Sequence, residues 1–341
     1  MKKFFVTLLS LSLSLILVLF AGCNKATALA FNNAFNGGNA PDSQYTEKLT
    51  YTVTSGNYKD LERSTDIPKD IADFSTNGTL TVSFNIKTES DIPLQIINDT
   101  DIDLTGMIYY LSFALDLNSI YTVNGEGSGE VKEYIYSDVL FLTTGSSFAP
   151  IYSTVKQSYN VMYTENVDDK VVVNTEKIES NYTTLYRKNE YKITSIKGEE
   201  QSSKTYDYDF KSVIDNAQLL FALRNLSLEK EASYTIPTVS PAYGNATPLL
   251  ITNKEENTQT LNVKIDGKDV NESISVKNLT FHVNDSKNTG TPQYVSIQKS
   301  ASTNIPSKAL MTEYAQPLIC YGSYTDMGAL IFKLNSVEFS N

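Results

Sequence analysis

The chain has 341 residues, a formal net charge of −11 and a sequence pI of about 4.7. Its only arginines are Arg63, Arg187 and Arg224, and its lysines form no concentrated patch, which argues against a nucleic-acid partner, because phosphate contacts need clustered Lys and Arg. The 22 tyrosines and 15 phenylalanines, with no tryptophan, suit half-exposed strands, and the length allows one large all-β domain or two small ones.

Met1-Lys2-Lys3 followed by the apolar run Phe4–Phe20 reads as the start of an export signal. The run is long enough to allow an uncleaved membrane anchor as well. Leu19-Phe20-Ala21-Gly22-Cys23 resembles the bacterial lipobox, with Phe20 where Leu is usual. The alternative is an ordinary signal with an incidental cysteine. The lipobox reading divides the chain into a signal peptide (1–22), a tether (23–44) and one β-rich domain (45–341). It predicts a diacyl group on Cys23, two chains that hold the protein to the extracytoplasmic face of the cell membrane. The tether is rich in Asn, Ala and Gly and ends Asn36-Gly37-Gly38-Asn39-Ala40-Pro41. Cys320 then remains as the sole thiol, so no internal disulfide is available, and it reads as a small buried hydrophobe.

From residue 49 onward the pattern has period two. Leu49, Tyr51 and Val53 alternate with threonines; Leu80, Val82, Phe84 and Ile86 alternate with polar residues; Tyr109 to Leu117 forms a longer alternating run. Further strands are predicted at 131–142, 152–163, 170–174, 181–187, 191–196 and 204–210. After residue 224 they continue at 233–239, 249–253, 258–265, 273–283, 293–299 and 328–339. Asp266-Gly267 is the strongest hairpin turn, and Lys197-Gly198-Glu199-Glu200 is a second. In the last strand the apolar set slips from Leu330, Phe332 and Leu334 to Val337 and Phe339. A β-bulge near Asn335-Ser336 would restore the register.

The exception to period two is Asp215–Arg224. Ala217, Leu220, Phe221 and Arg224 share one helix face, and Leu219 and Leu223 widen the stripe. Either Ser212 or Asp215 is placed to cap it, and Ser212 with Asp215 has the spacing of a capping box. One short amphipathic helix among strands is expected to cover an apolar sheet face. Arg224, at the end of the stripe, is placed either to meet the helix's C-terminal carbonyls or to pair with a carboxylate under the sheet.

The run Asp215–Arg224 resembles the Asp-Pro-Leu-Ser-Ala-Leu-Tyr-Tyr-Leu-Arg motif of an exported bacterial family, domain of unknown function 3108, with Asn216 in place of the proline. Leu49-Thr50-Tyr51, Phe148-Ala149-Pro150-Ile151, Ala232-Ser233-Tyr234-Thr235-Ile236-Pro237, Ile305-Pro306 and Gly328 follow that family's order of features. The run Glu229-Lys230-Glu231 lacks its usual turn glycine. The resemblance implies a large curved antiparallel sheet, half-barrel-like, wrapped around a helix. It assigns no reaction and no cofactor.

Chemistry-bearing patterns are sparse. His282 lies on the polar face of its strand and reads as a surface residue, and no Gly-x-Ser-x-Gly elbow accompanies it. Asp99, Asp101 and Asp103 open with calcium-loop spacing, but Leu104 stands where the loop's glycine belongs, so a solvated turn is the simpler reading. No catalytic constellation, metal motif or cofactor fingerprint emerges. The function expected is a non-catalytic binding or carrier module for an apolar or amphipathic ligand; the alternative is a structural or interaction protein of the envelope with a filled core, and a hydrolase is the least supported third class. The first two are separated by whether the space between helix and sheet is filled by Leu220, Phe221 and their partners or left as a cavity.

Overall fold

The computed structural model describes residues 45–55, 71–105, 107–123, 127–144, 147–168, 170–208, 213–224, 226, 229–242, 244–285, 288–289, 293–298, 319–324 and 330–340. Cys23, the tether and Ile305-Pro306 lie outside them, as does the side chain of Cys320.

Alternation dominates the described chain, and the chain is accordingly mostly strand. In order these are β1 (Thr46–Ser55), β2 (Ile71–Lys87), β3 (Ile108–Val123), β4 (Gly127–Thr144), β5 (Ser147–Val167) and β6 (Lys170–Tyr186). Next come β7 (Glu190–Lys197), β8 (Glu200–Asp207), β9 (Ile214–Asp215), β10 (Ser233–Val239) and β11 (Thr247–Ile265). The last are β12 (Lys268–Asp285), β13 (Asn288–Thr289), β14 (Gln293–Gln298), β15 (Ile319–Tyr324) and β16 (Leu330–Ser340).

All belong to one large curved sheet. Its order is β8-β7-β6-β5-β4-β3-β2-β1-β16-β15-β14-β12-β11-β10-β9, with β13 beside β12. Hairpin neighbours pair antiparallel, as short connections demand. Two contacts are parallel: β9 with β10, and β11 with β16 through Lys264–Ser336 and Ile265–Val337. The second makes β16, β15, β14, β12 and β11 a closed circuit.

Local chemistry sets the corners. Asp266 and Gly267 both take positive φ, 47° and 78°, as a two-residue type I′ turn requires. The bulge in β16 is at Asn335, since Thr50 pairs with Ser336 while Tyr51 pairs with Leu334. It keeps Leu330, Phe332, Leu334 and Val337 on the buried face.

Two pairs of predicted strands are each one strand. Segments 170–174 and 181–187 are joined in β6, and 249–253 and 258–265 in β11, the latter through a bulge beside Lys254. The polar runs between them break the alternation where the strands leave the core. A six-residue helix at Leu94–Asp99 was not expected, being too short to show a periodicity. It follows a turn in which Asp91 Oδ2 accepts from the Thr88 N–H at 2.8 Å, and it buries Ile96. No helix among the described residues is long and apolar enough to cross a membrane.

The main core lies on the inner face of β1–β4, β10–β12, β14 and β16, around the helix expected from the sequence. A second cluster, rich in tyrosine, gathers around Tyr182, Tyr186 and Tyr191 with Ile96, Ile102 and Ile108.

Candidate functional site

The covering helix lies within the main core. Asn216–Gln218 form a tight 3-10 turn that continues into an α-helix at Leu219–Arg224. Asp215 is the cap: its Oδ1 accepts from the Ala217 N–H at 2.8 Å, and Gln218 Oε1 accepts from the Asp215 N–H at 2.8 Å. The capping box therefore joins Asp215 to Gln218, a pair the sequence reading passed over in favour of Ser212. Ser212 itself lies outside the described residues. The helix is enclosed on nearly every side. Leu219, Phe221, Ala222, Leu223 and Arg224 are buried, while Leu220 and Ala217 are partly so and pack on the same cluster.

Phe221 fills the space between helix and sheet. Its ring stacks on Phe84 at 5.0 Å and meets Phe141 at 5.3 Å and Phe148 at 5.4 Å. Tyr109 extends the group, 5.6 Å from Phe84 and 5.5 Å from Phe141. Offset and edge contacts at these separations add to the gain from burial itself.

Both ends of the helix are pinned by buried polar groups. At the start, Asp215 Oδ2 accepts from Ser153 Oγ and from the Tyr186 hydroxyl, each at 2.6 Å. These bonds tie β9 across to β5 and β6, where no backbone ladder joins them. Burial raises the Asp215 carboxyl, and the three donors only partly oppose the rise. A carboxyl raised in the folded state contributes stability that is full below its unfolded pKa, about 4, and lost as pH rises through the folded value. Asp215→Asn is therefore expected to lose Tm relative to the parent progressively as pH falls from 7 to 4. A difference in Tm that stays constant over that range would mean that the carboxyl is not raised.

At the far end, Arg224 meets Glu47 in a two-pronged ion pair, Nη1 to Oε1 at 2.5 Å and Nη2 to Oε2 at 2.8 Å. The two side chains are 2% and 3% exposed. Tyr45 adds a hydroxyl donor to Glu47 Oε2 at 3.3 Å. Of the two roles open to Arg224, pairing with a carboxylate is present in the structure. Just past the helix, Lys277 Nζ donates to Leu226 O at 2.5 Å. Burial lowers the Lys277 amine, with Glu256 opposing. Glu47 was missed from the sequence. Its signal is the extension of β1's inner face backward from Val53, Tyr51 and Leu49 to Glu47 and Tyr45.

The tyrosine cluster is held by a close backbone approach. Gly244, at φ +86°, offers its carbonyl to the Tyr191 hydroxyl at 3.1 Å. A Cβ at this position would stand 2.2 Å from the Tyr206 hydroxyl oxygen, so only glycine fits.

The remaining candidates are dispersed. Asp101 Oδ1 accepts from the Lys188 N–H at 2.7 Å, and Asp103 Oδ1 accepts from the Thr105 N–H at 3.0 Å. Asp99 offers only its main-chain carbonyl, to Arg187 Nε at 2.9 Å. Among the described residues no three His, Cys, Asp or Glu side chains gather as a metal site would. His282 pairs with Leu250 across β11–β12 and is half-buried rather than a surface residue, its Nδ1 enclosed without a hydrogen-bond partner.

Fold and site together define a β-sheet protein curved around an internal, polar-pinned helix. No protein-family model matches the chain, and no curated protein matches it. Among solved structures it is similar to a beta-barrel-like protein of domain of unknown function DUF1849 from Brucella abortus. That likeness spans 87% of this chain and 99% of the other, at 10% identity and a TM-score of 0.44.

Proposed function

We propose that the protein is a lipid-anchored, non-catalytic interaction module of a bacterial cell envelope, held to the membrane through Cys23. The observation that carries this reading is the filled space under the helix. Phe221, Phe84, Phe141 and Phe148 occupy the volume in which a carrier would hold its ligand. The likeness of Asp215–Arg224 to the motif of domain of unknown function 3108 supports placing the chain beside that family, for which no reaction is assigned. The acid–base groups nearest the helix, Asp215 and Glu47, are engaged in structural bonds and shut off from solvent.

Native mass spectrometry of residues 45–341, before and after incubation with an envelope lipid extract, tests the filled core. The bare mass is expected in both cases, and a bound mass lost on denaturation would restore the carrier reading. The anchor has its own test. Cys23→Ser is expected to move the protein from the membrane to the soluble fraction, whereas full retention would favour an uncleaved N-terminal helix.

A further inference from the structure

We infer that the face of β2–β5 turned away from the main core is a docking site for an extended, uncharged oligosaccharide, which names a partner for the interaction reading above and rests on it. Register places Tyr110, Ser112, Ala114 and Asp116 of β3 on this face, opposite Leu140, Asp138, Tyr136 and Tyr134 of β4. On the other side of β3, β2 sets Ser83 beside Ser112 and Thr81 beside Ala114. Small side chains therefore floor a shallow trough along β2 and β3, and the tyrosines of β4 wall it. The second apolar cluster closes one end at Tyr110, and Asp116 is exposed at the other.

Two tyrosine–aspartate pairs hold the carboxylates in place. Tyr110 Oη donates to Asp138 Oδ1 at 2.5 Å, and Tyr136 Oη donates to Asp116 Oδ1. Thr154 reaches Asp138 Oδ2 only at 3.5 Å. A single hydroxyl orients a carboxylate and leaves it further acceptor capacity. The Tyr136 ring is stacked on Tyr134 at 4.8 Å, which fixes its plane, and it is 37% exposed. Three polar atoms on this face meet no hydrogen-bond partner among the described residues. They are Ser158 Oγ, 1% exposed and directly across from Tyr134, and the Oδ1 atoms of Asn85, beside Tyr110, and Asn118, just beyond Asp116. Unpaired polar groups gathered along one trough point to a hydroxylated ligand or to the waters through which it bonds.

Charge selects the occupant. Asp116 and Asp138 repel a phosphate or carboxylate polymer, while Lys48, Lys87 and Lys156 on the same face repel a cationic one. These lysines are already engaged: Lys87 and Lys156 lie over the Tyr110 and Tyr134 rings, and Lys48 pairs with Glu338. A folded protein partner would want a buried apolar centre, and the trough floor is serine, threonine and alanine. Sugar hydroxyls donate to carboxylates as charge-assisted bonds, and the C–H face of a sugar ring packs on an exposed tyrosine. Asp138 lies opposite Ser112, four residues from Asp116, so the carboxylates stand about 13 Å apart along the strands, a span for several linked rings.

The test titrates the full-length chain, in a detergent without a sugar headgroup, with cellohexaose and with chitohexaose by isothermal titration calorimetry. At least one is expected to bind, and the two arms tell a plain glucose chain from an N-acetylated one. Tyr136→Ala and Asp116→Asn should each weaken that binding about tenfold at the parent's Tm. Tyr294→Ala removes a tyrosine that is 48% exposed on β14, outside the trough, and should leave binding unchanged. Absence of binding to both hexamers, or an equal loss in Tyr294→Ala, would overturn the proposal. Either result leaves the filled core and the anchor to the mass and membrane measurements, which decide them separately.

Discussion

Glu47→Ala is expected to destabilise the fold by about 3–5 kcal/mol, the range for stripping one partner from a buried ion pair. The cost comes less from the lost attraction than from what remains: a guanidinium enclosed under the sheet with no counter-charge. Burial by itself disfavours the Arg224 cation, and the Glu47 carboxylate more than offsets that effect. Replacing both residues removes the stranded charge, so Glu47→Met with Arg224→Met should cost far less than the sum of the single changes. Urea unfolding of the parent, the two single Met variants and the double variant checks this through the midpoint at unchanged slope. Additive losses would mean that the two side chains do not act as a pair.

Phe221→Ala is expected to cost a similar amount, about 3–5 kcal/mol, because it removes the ring on which three others converge. The surrounding strands are held by their ladders and cannot close the gap, so a cavity adds to the lost burial. Phe221→Asp should go further and prevent folding, since the carboxylate would lie among phenylalanine rings with no donor. Near-ultraviolet circular dichroism and thermal melting report both outcomes. A Phe221→Ala protein melting within about 1 kcal/mol of the parent would place the helix outside the core.

These two sites show how differently the sequence reports its own structure. Phe221 was legible because a 3.6-residue period in a field of period two stands out. Glu47 was not, because the charged pair Glu47-Lys48 before Leu49 reads as the solvated end of a strand. Only the presence of Arg224, 177 residues away, makes its burial tolerable. The Asp215 cap was half legible. Its position before the apolar run marked it, but its bonds to Ser153 and Tyr186 depend on β9 crossing to β5 and β6. The Leu94–Asp99 helix left no signal, being shorter than two turns and stabilised by where Ile96 comes to rest.

The sequence by itself determined what is local: strand after strand, the Asp266-Gly267 turn, the Asn335 bulge and the single internal helix. Each follows from alternation, turn chemistry or helical spacing within a few residues. Tertiary structure alone decided the strand order, the β11–β16 closure and the partners of Asp215 and Arg224. Those outcomes join residues far apart in the chain, and their energies come from burial and from pairing charges removed from water, which no short window of sequence contains.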